Sequence, residues 1–232
     1  MKIIYIHGIN ESQADGELLK ADWDEMIWGV FRNTSMLYWG DLSIARDGLL
    51  QDLGDRLLCE MLKLATANTL LRDVNNYFFK DGMRIEIIAR FQKLIESNPE
   101  DDVLIVSHSW GTVIAYDSLY FFDKVWKETL PNMRINLITI GSPLGLHSIQ
   151  AQLRSMYSKE RLTVPSIVKN WDNYFDSFDP VAAMHLVKPA YKAKHQLEFT
   201  DHIVKNPKSP TYAHSLAGYF STEIKERILN YK

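Results

Sequence analysis

The 232-residue sequence predicts an α/β fold, a mainly parallel, doubly wound sheet with helices on both faces. Three observations predict it. Short apolar runs rich in β-branched residues alternate with stretches of helical periodicity, the order that builds βαβ units. One run, Val103, Leu104, Ile105 and Val106, is apolar without a break, as in a strand covered on both faces. No Pro/Gly-rich linker, internal repeat or low-complexity segment interrupts the chain, so residues 1–232 are expected to form one domain.

The elements follow in order. A first strand is expected over residues 2–6, then a polar loop, "HGINESQADGELLKADW", in which Asp22 is placed to cap a helix over about 23–31. A second strand covers 35–39 and stops at Gly40 and Asp41. Between 42 and 76, Leu49, Leu50, Leu53, Leu57, Leu58, Met61 and Leu62 recur at three- and four-residue steps. That spacing predicts an extra helical segment between the second and third strands. Another amphipathic helix spans about 82–96, with Ile87, Ile88, Phe91 and Ile95 on one side. After the 103–106 strand, residues 107–111 form a turn and 112–119 permit a helix. Further strands are expected at 135–140, 166–171 and 195–199, with a helix near 146–157. A last helix carries Leu216, Phe220, Ile224 and Ile228 at four-residue spacing.

Composition excludes several functions. Lys plus Arg is 26 against 29 Asp plus Glu, a net charge of −3, which leaves no electrostatic footprint for nucleic acid. The lone Cys59 permits no intramolecular disulfide and points to a reducing, cytoplasmic setting. Seven histidines without C-x-x-C or H-E-x-x-H spacing predict neither metal nor cofactor. "HGINESQADG" lacks the dinucleotide-binding and phosphate-loop spacings. The opening "MKIIYIHG" is too short an apolar run for a signal peptide, and no stretch reaches transmembrane length, so no integral membrane segment is expected. The sequence fixes no oligomeric state.

The chemistry centres on "SHSWG". A strand, a tight turn and a helix around Ser109 match the nucleophile elbow G-x-S-x-G, with Gly111 in place and Ser107 standing for the leading glycine. A serine hydroxyl is a weak nucleophile, so it needs a base and donors for the oxyanion. In a doubly wound sheet these must lie where the loops leave the carboxyl ends of strands. His7 and Gly8 follow the first strand, which suggests an oxyanion amide at Ile9 or Asn10, with the second from Trp110. "NWDNYFDSFDPVA" offers Asp172, Asp176 and Asp179 as the acid. Asp179 is favoured because Pro180 stiffens the backbone behind it, and Asp176 is the main rival. His214, in the loop before the last helix, is the expected base, whereas His108 should point away from Ser109. Trp39, Trp110, Trp171 and Tyr174 suggest the wall of an apolar pocket.

The blocks "IHG", "SHSWG", "GSPL", "DPVA" and "AHS", in that order over nearly the whole chain, resemble the α/β-hydrolase superfamily. They look most like lipase-like serine esterases, including the group related to the inositol deacylases of lipid-anchor remodelling. The resemblance implies an α/β-hydrolase fold and cleavage of a carboxylic ester, from a small molecule or a lipid. It makes Ser109 the nucleophile, His214 the base and Asp179 the acid. Ser107 and the absence of a large cap between the strands at 140 and 166 depart from the pattern. A thioesterase or acyltransferase on the same residues, or a non-catalytic binding protein of this fold, are the alternatives. With a histidine base, activity should rise with pH across the region near about 6.5.

Overall fold

The computed structural model describes residues 1–8, 15–27, 33–43, 74, 76–79, 82–97, 102–182, 186–193 and 196–231. Ile9, Asn10, Cys59 and the leucine periodicity at 44–73 lie outside these residues. The strands are β1 (Lys2–Ile6), β2 (Thr34–Leu37), β3 (Asp102–His108), β4 (Arg134–Ile140), β5 (Leu162–Thr163), β6 (Val168–Phe175), β7 (Tyr191–Lys192) and β8 (Glu198–Ile203). Six of them build one sheet in the order β2-β1-β3-β4-β6-β8, and every neighbouring pair is parallel. The short β5 and β7 pair with each other.

The helices described from end to end are α1 (Gly16–Ile27), α2 (Gly40–Ser43), α3 (Met83–Glu96), α4 (Gly111–Thr129), α5 (His147–Tyr157), α6 (Leu216–Phe220) and α7 (Ile224–Asn230). The sheet separates two apolar clusters. Val103 and Ile105 of β3 join Phe91, Val113, Trp126 and Leu153 on the face covered by α3, α4 and α5. Leu104 and Val106 point the other way, into Trp23, Tyr219, Ile224 and Ile228 of α1, α6 and α7. Both faces of β3 are therefore buried, which is why its sequence shows no polar alternation. Among the described residues no helix is long and apolar enough to cross a membrane.

The strand order reverses between β1 and β3, because the chain places β2 on one side of β1 and β3 on the other. The helices that follow these two strands, α1 and α4, cover opposite faces of the sheet.

Several boundaries differ from expectation for identifiable reasons. The first helix begins at Gly16, not Trp23, because Asp15 rather than Asp22 caps it, its carboxylate accepting the Glu17 N–H at 2.8 Å. The strand expected at 166–171 runs on to Phe175. Its polar residues have partners in the sheet and on the helices over it: Asn173 bonds Thr139 and Asp201, while Asp172 takes Arg227 Nε and the Tyr231 hydroxyl, each at 2.8 Å. The last helix is two, because the hydroxyls of Ser221 and Thr222 turn back onto the carbonyls of Gly218 and Tyr219 and end α6.

One buried ion cluster ties the α3/α4/α5 layer together. Asp117, fully buried on α4, accepts two hydrogen bonds from Arg84 of α3 at 2.6 and 2.8 Å. The hydroxyls of Tyr77 and of Tyr157 on α5 also donate to it. Removing one partner of such a pair strands the other charge. Asp117→Ala should therefore cost about 3–5 kcal/mol in urea unfolding. Asp102→Ala, which breaks the exposed pair with Arg134, should cost less than about 1 kcal/mol.

Candidate active site

Ser109 sits just beyond β3 with φ 54°, the left-handed region that a non-glycine residue enters only where its surroundings hold it. Four contacts do so. Its N–H donates to Ile140 O of β4 at 2.9 Å, and its carbonyl accepts from Thr112 N–H at 3.0 Å and Thr112 Oγ1 at 2.7 Å. Thr112 Oγ1 also meets Ser142 Oγ at 2.8 Å. A Cβ on Gly111 would lie 2.4 Å from the carbonyl oxygens of Ile6 and His7, so only glycine lets α4 start against the end of β1. Ser107 fits in place of the usual glycine because its buried hydroxyl donates to Ile138 O at 3.1 Å.

Three side chains from three loops meet at this turn. His214 Nε2 lies 2.8 Å from Ser109 Oγ, and His214 Nδ1 lies 3.0 and 2.8 Å from the two oxygens of Asp179. Since Asp179 is an acceptor, Nδ1 carries the proton and the Nε2 lone pair faces the serine hydroxyl. Asp179 is fully buried, Ser109 is 6% exposed and the His214 side chain 27%, so of the three the imidazole is the most open to solvent. Burial opposes ionisation of Asp179. The charge and hydrogen bond of His214, the Tyr219 hydroxyl at 2.7 Å and the Val181 N–H at 2.8 Å outweigh it, holding the carboxyl below the usual value.

Asp176 belongs elsewhere. Its carboxylate accepts the N–H groups of Phe178 and Asn206 at 2.7 and 2.6 Å and the Ser209 hydroxyl at 3.2 Å, knotting the loop after β6 to the loop after β8. Asp172 is occupied with Arg227, Tyr231 and His202. Gly8 lies against the serine, where an added Cβ would come within 2.8 Å of Ser109 Cβ. His7 is buried, with Nε2 accepting the Trp39 N–H at 3.2 Å and Nδ1 donating to Gly8 O at 2.7 Å, which shapes the loop leaving β1. The Trp110 N–H meets no acceptor among the described residues.

Trp39, Trp110, Trp171 and Tyr174 do not form a pocket wall. All four are buried in the apolar clusters, Trp39 stacked on His7 and Trp171 on Phe199 at 4.3 Å. They have the strand-end positions expected of a wall and the burial of a core.

Four contributors escape a reading of the sequence. Gly141, φ 56°, sits beneath the Asp179–His214 pair, where a Cβ would approach Asp179 Oδ2 to 2.9 Å and the imidazole to 3.1 Å. Its signal is a glycine directly after a strand, at the edge where the other loops converge. Tyr219, five residues after His214, bridges the Asp176 N–H and Asp179 Oδ2. Asn206 donates to the carbonyls of Ala213 and Ser215 and so fixes the His214 loop, with Gly218 leaving room for it. His108, expected to turn away, packs its ring against His214 with centroids 4.7 Å apart and donates Nε2–H to His214 O at 3.1 Å.

Compared with known proteins, the chain matches no protein-family model and no curated protein. Among the described residues no group of three or more His, Cys, Asp or Glu side chains is assembled to hold a metal ion.

Two predictions follow from this geometry. Gly141→Ala adds both a left-handed alanine and a clash, and should lower stability by about 2–4 kcal/mol. Gly82→Ala, also at positive φ but with open space around it, should lose less. Burial pushes His7 down to about 4, and burial with the neighbouring His214 charge pushes His108 down to about 3. An unfolded histidine titrates near about 6.5, so between that pH and about 4 the unfolded chain binds more protons. The urea midpoint should therefore fall as pH falls from 7 to 4.5. A midpoint constant over that range would contradict the two buried neutral rings.

Proposed function

We propose that the protein is a serine hydrolase of the α/β-hydrolase type, cleaving a carboxylic ester through an acyl-enzyme on Ser109. The observation that carries this reading is the continuous hydrogen-bond chain Asp179–His214–Ser109 at the carboxyl edge of a parallel sheet, with the serine at φ 54°. A core needs none of this. A partly exposed imidazole bonded on one side to a buried carboxylate and on the other to a strained, nearly buried serine is the arrangement that activates a hydroxyl.

As Ser109 Oγ attacks the ester carbonyl, His214 Nε2 takes its proton, and the electron pair of the C=O bond moves onto oxygen. Asp179 keeps the imidazole in the Nδ1–H tautomer and stabilises the imidazolium. The Trp110 amide, beside the nucleophile at the start of α4, is one donor for the oxyanion. The second is assigned to the loop beyond Gly8, at Ile9 or Asn10. Collapse of the tetrahedral adduct breaks the ester C–O bond, and His214 returns its proton to the departing alkoxide. Water, deprotonated by the same Nε2, then attacks the acyl-enzyme, releasing the acid and restoring Ser109. The chemistry draws on no cofactor.

The test is covalent labelling with a fluorophosphonate followed by peptide mapping. Ser109 should carry the label, and Ser109→Ala and His214→Ala should abolish it while leaving the circular dichroism unchanged. On a p-nitrophenyl ester, Asp179→Asn should lower kcat by roughly 10³- to 10⁴-fold through the wrong tautomer. A folded protein that never labels at Ser109 would overturn the proposal.

A further inference from the structure

The two loops that bring Asp179 and His214 to the site also carry an exposed apolar and basic surface. Phe178, directly before Asp179, is 65% exposed; Ile203, at the end of β8, is 70% exposed; Tyr212, two residues before His214, is 69% exposed. Scattered exposed hydrophobics are ordinary on a protein surface. These are not scattered. The Asp176 carboxylate holds the Phe178 amide, the Asn206 amide and the Ser209 hydroxyl together, and Val204 N–H bonds Phe175 O at 2.9 Å, so both loops stand side by side. Tyr212 N–H bonds Lys208 O at 2.9 Å within the same turn.

The exposed charges on these two loops have one sign. Over residues 203–217 the only Lys, Arg, Asp or Glu side chains are Lys205 and Lys208, both exposed. The acidic residues of the 176–182 loop, Asp176 and Asp179, are buried and bonded inward. Phe178, Ile203 and Tyr212 thus present rings and an aliphatic chain to solvent on the two loops, one of which also carries Lys205 and Lys208, with no exposed carboxylate on either loop. A bilayer surface with anionic headgroups complements both features, since aromatic and aliphatic side chains enter the headgroup boundary while lysines remain at the phosphates.

We propose that this face docks on anionic lipid bilayers, so that the Ser109 site takes its ester from the membrane surface rather than from bulk water. The choice of substrate rests on the hydrolase reading above, whereas the docking does not. The protein binds peripherally, through side chains that already point outward, and no segment has to unfold or cross the membrane.

Sedimentation with vesicles tests it, using phosphatidylcholine alone and phosphatidylcholine containing one-third phosphatidylglycerol. Wild type should partition onto the mixed vesicles and scarcely onto the neutral ones, with binding weakened at high salt. Lys205→Gln/Lys208→Gln should weaken partition by roughly 25-fold, at about fivefold per lysine. Phe178→Ser/Tyr212→Ser should weaken it by about tenfold or more, with circular dichroism showing the variants folded. Ser109→Ala should bind as wild type does, which separates docking from catalysis. If Ser109 labels with fluorophosphonate but the protein ignores both vesicle types, docking is overturned and the hydrolase reading stands. If vesicles are bound but Ser109 never labels, only the choice of substrate falls. Binding that the four substitutions leave unchanged, or burial of this face in a dimer of the chain, overturns the proposal.

Discussion

A carboxylate removed from water must be surrounded by donors, and Asp179 is the place where this chain meets that requirement. Its two oxygens collect His214, the Tyr219 hydroxyl and the Val181 amide, with a longer contact from Ala182. Those donors come from the turn after β6, the loop after β8 and the helix beyond it. One buried charge therefore dictates where three separate segments end up. Asp176, three residues earlier, repeats the device with Phe178, Asn206 and Ser209. Tyr219 links the two carboxylate sites, accepting from the Asp176 amide and donating to the Asp179 oxygen.

Crowding is the second constraint. Three strand ends and a helix start converge on Ser109, and the spaces between them are narrower than a methyl group. Gly8, Gly111 and Gly141 occupy those spaces, facing Ser109, the carbonyls of Ile6 and His7, and the Asp179–His214 pair respectively. The sheet order brings them together, because it sets the carboxyl ends of β1, β3 and β4 side by side.

The parallel sheet and the serine turn were legible in the sequence because both leave short-range marks: unbroken apolar runs and a polar turn of small residues. The positions of Asp179 and His214 also followed a local rule, one polar residue after each strand. Where the reading failed, the deciding partner was distant in the chain. Asp172 and Asn173 look like loop residues until Arg227, Thr139 and Asp201 supply their hydrogen bonds. The four aromatics at strand ends look like a ligand wall until partners distant in the chain cover them: His7 on Trp39, Tyr77 and Phe78 on Trp110, Phe199 on Trp171 and His202 on Tyr174. Periodicity predicted one last helix, and the buried stripe does continue through Phe220, Ile224 and Ile228, but the hydroxyls of Ser221 and Thr222 break the backbone beneath it. The role of His108 went unread for a related reason: nothing near it in sequence announces that the carbonyl of His214 will be its acceptor.

The contact between Asn206 and Gly218 carries an evolutionary consequence. A Cβ at 218 would fall 1.9 Å from Asn206 Oδ1, so no side chain can be accepted there while the asparagine holds its loop. Losing the asparagine first would leave the carbonyls of Ala213 and Ser215 without its amide, next to the imidazole that depends on their placement. Each change is thus harmful in the presence of the other's ancestral residue, and neither order offers a neutral first step. Lineages that keep His214 in this loop should inherit the two residues as a unit, so an asparagine paired with a glycine twelve positions later is a signature by which distant relatives can be sought.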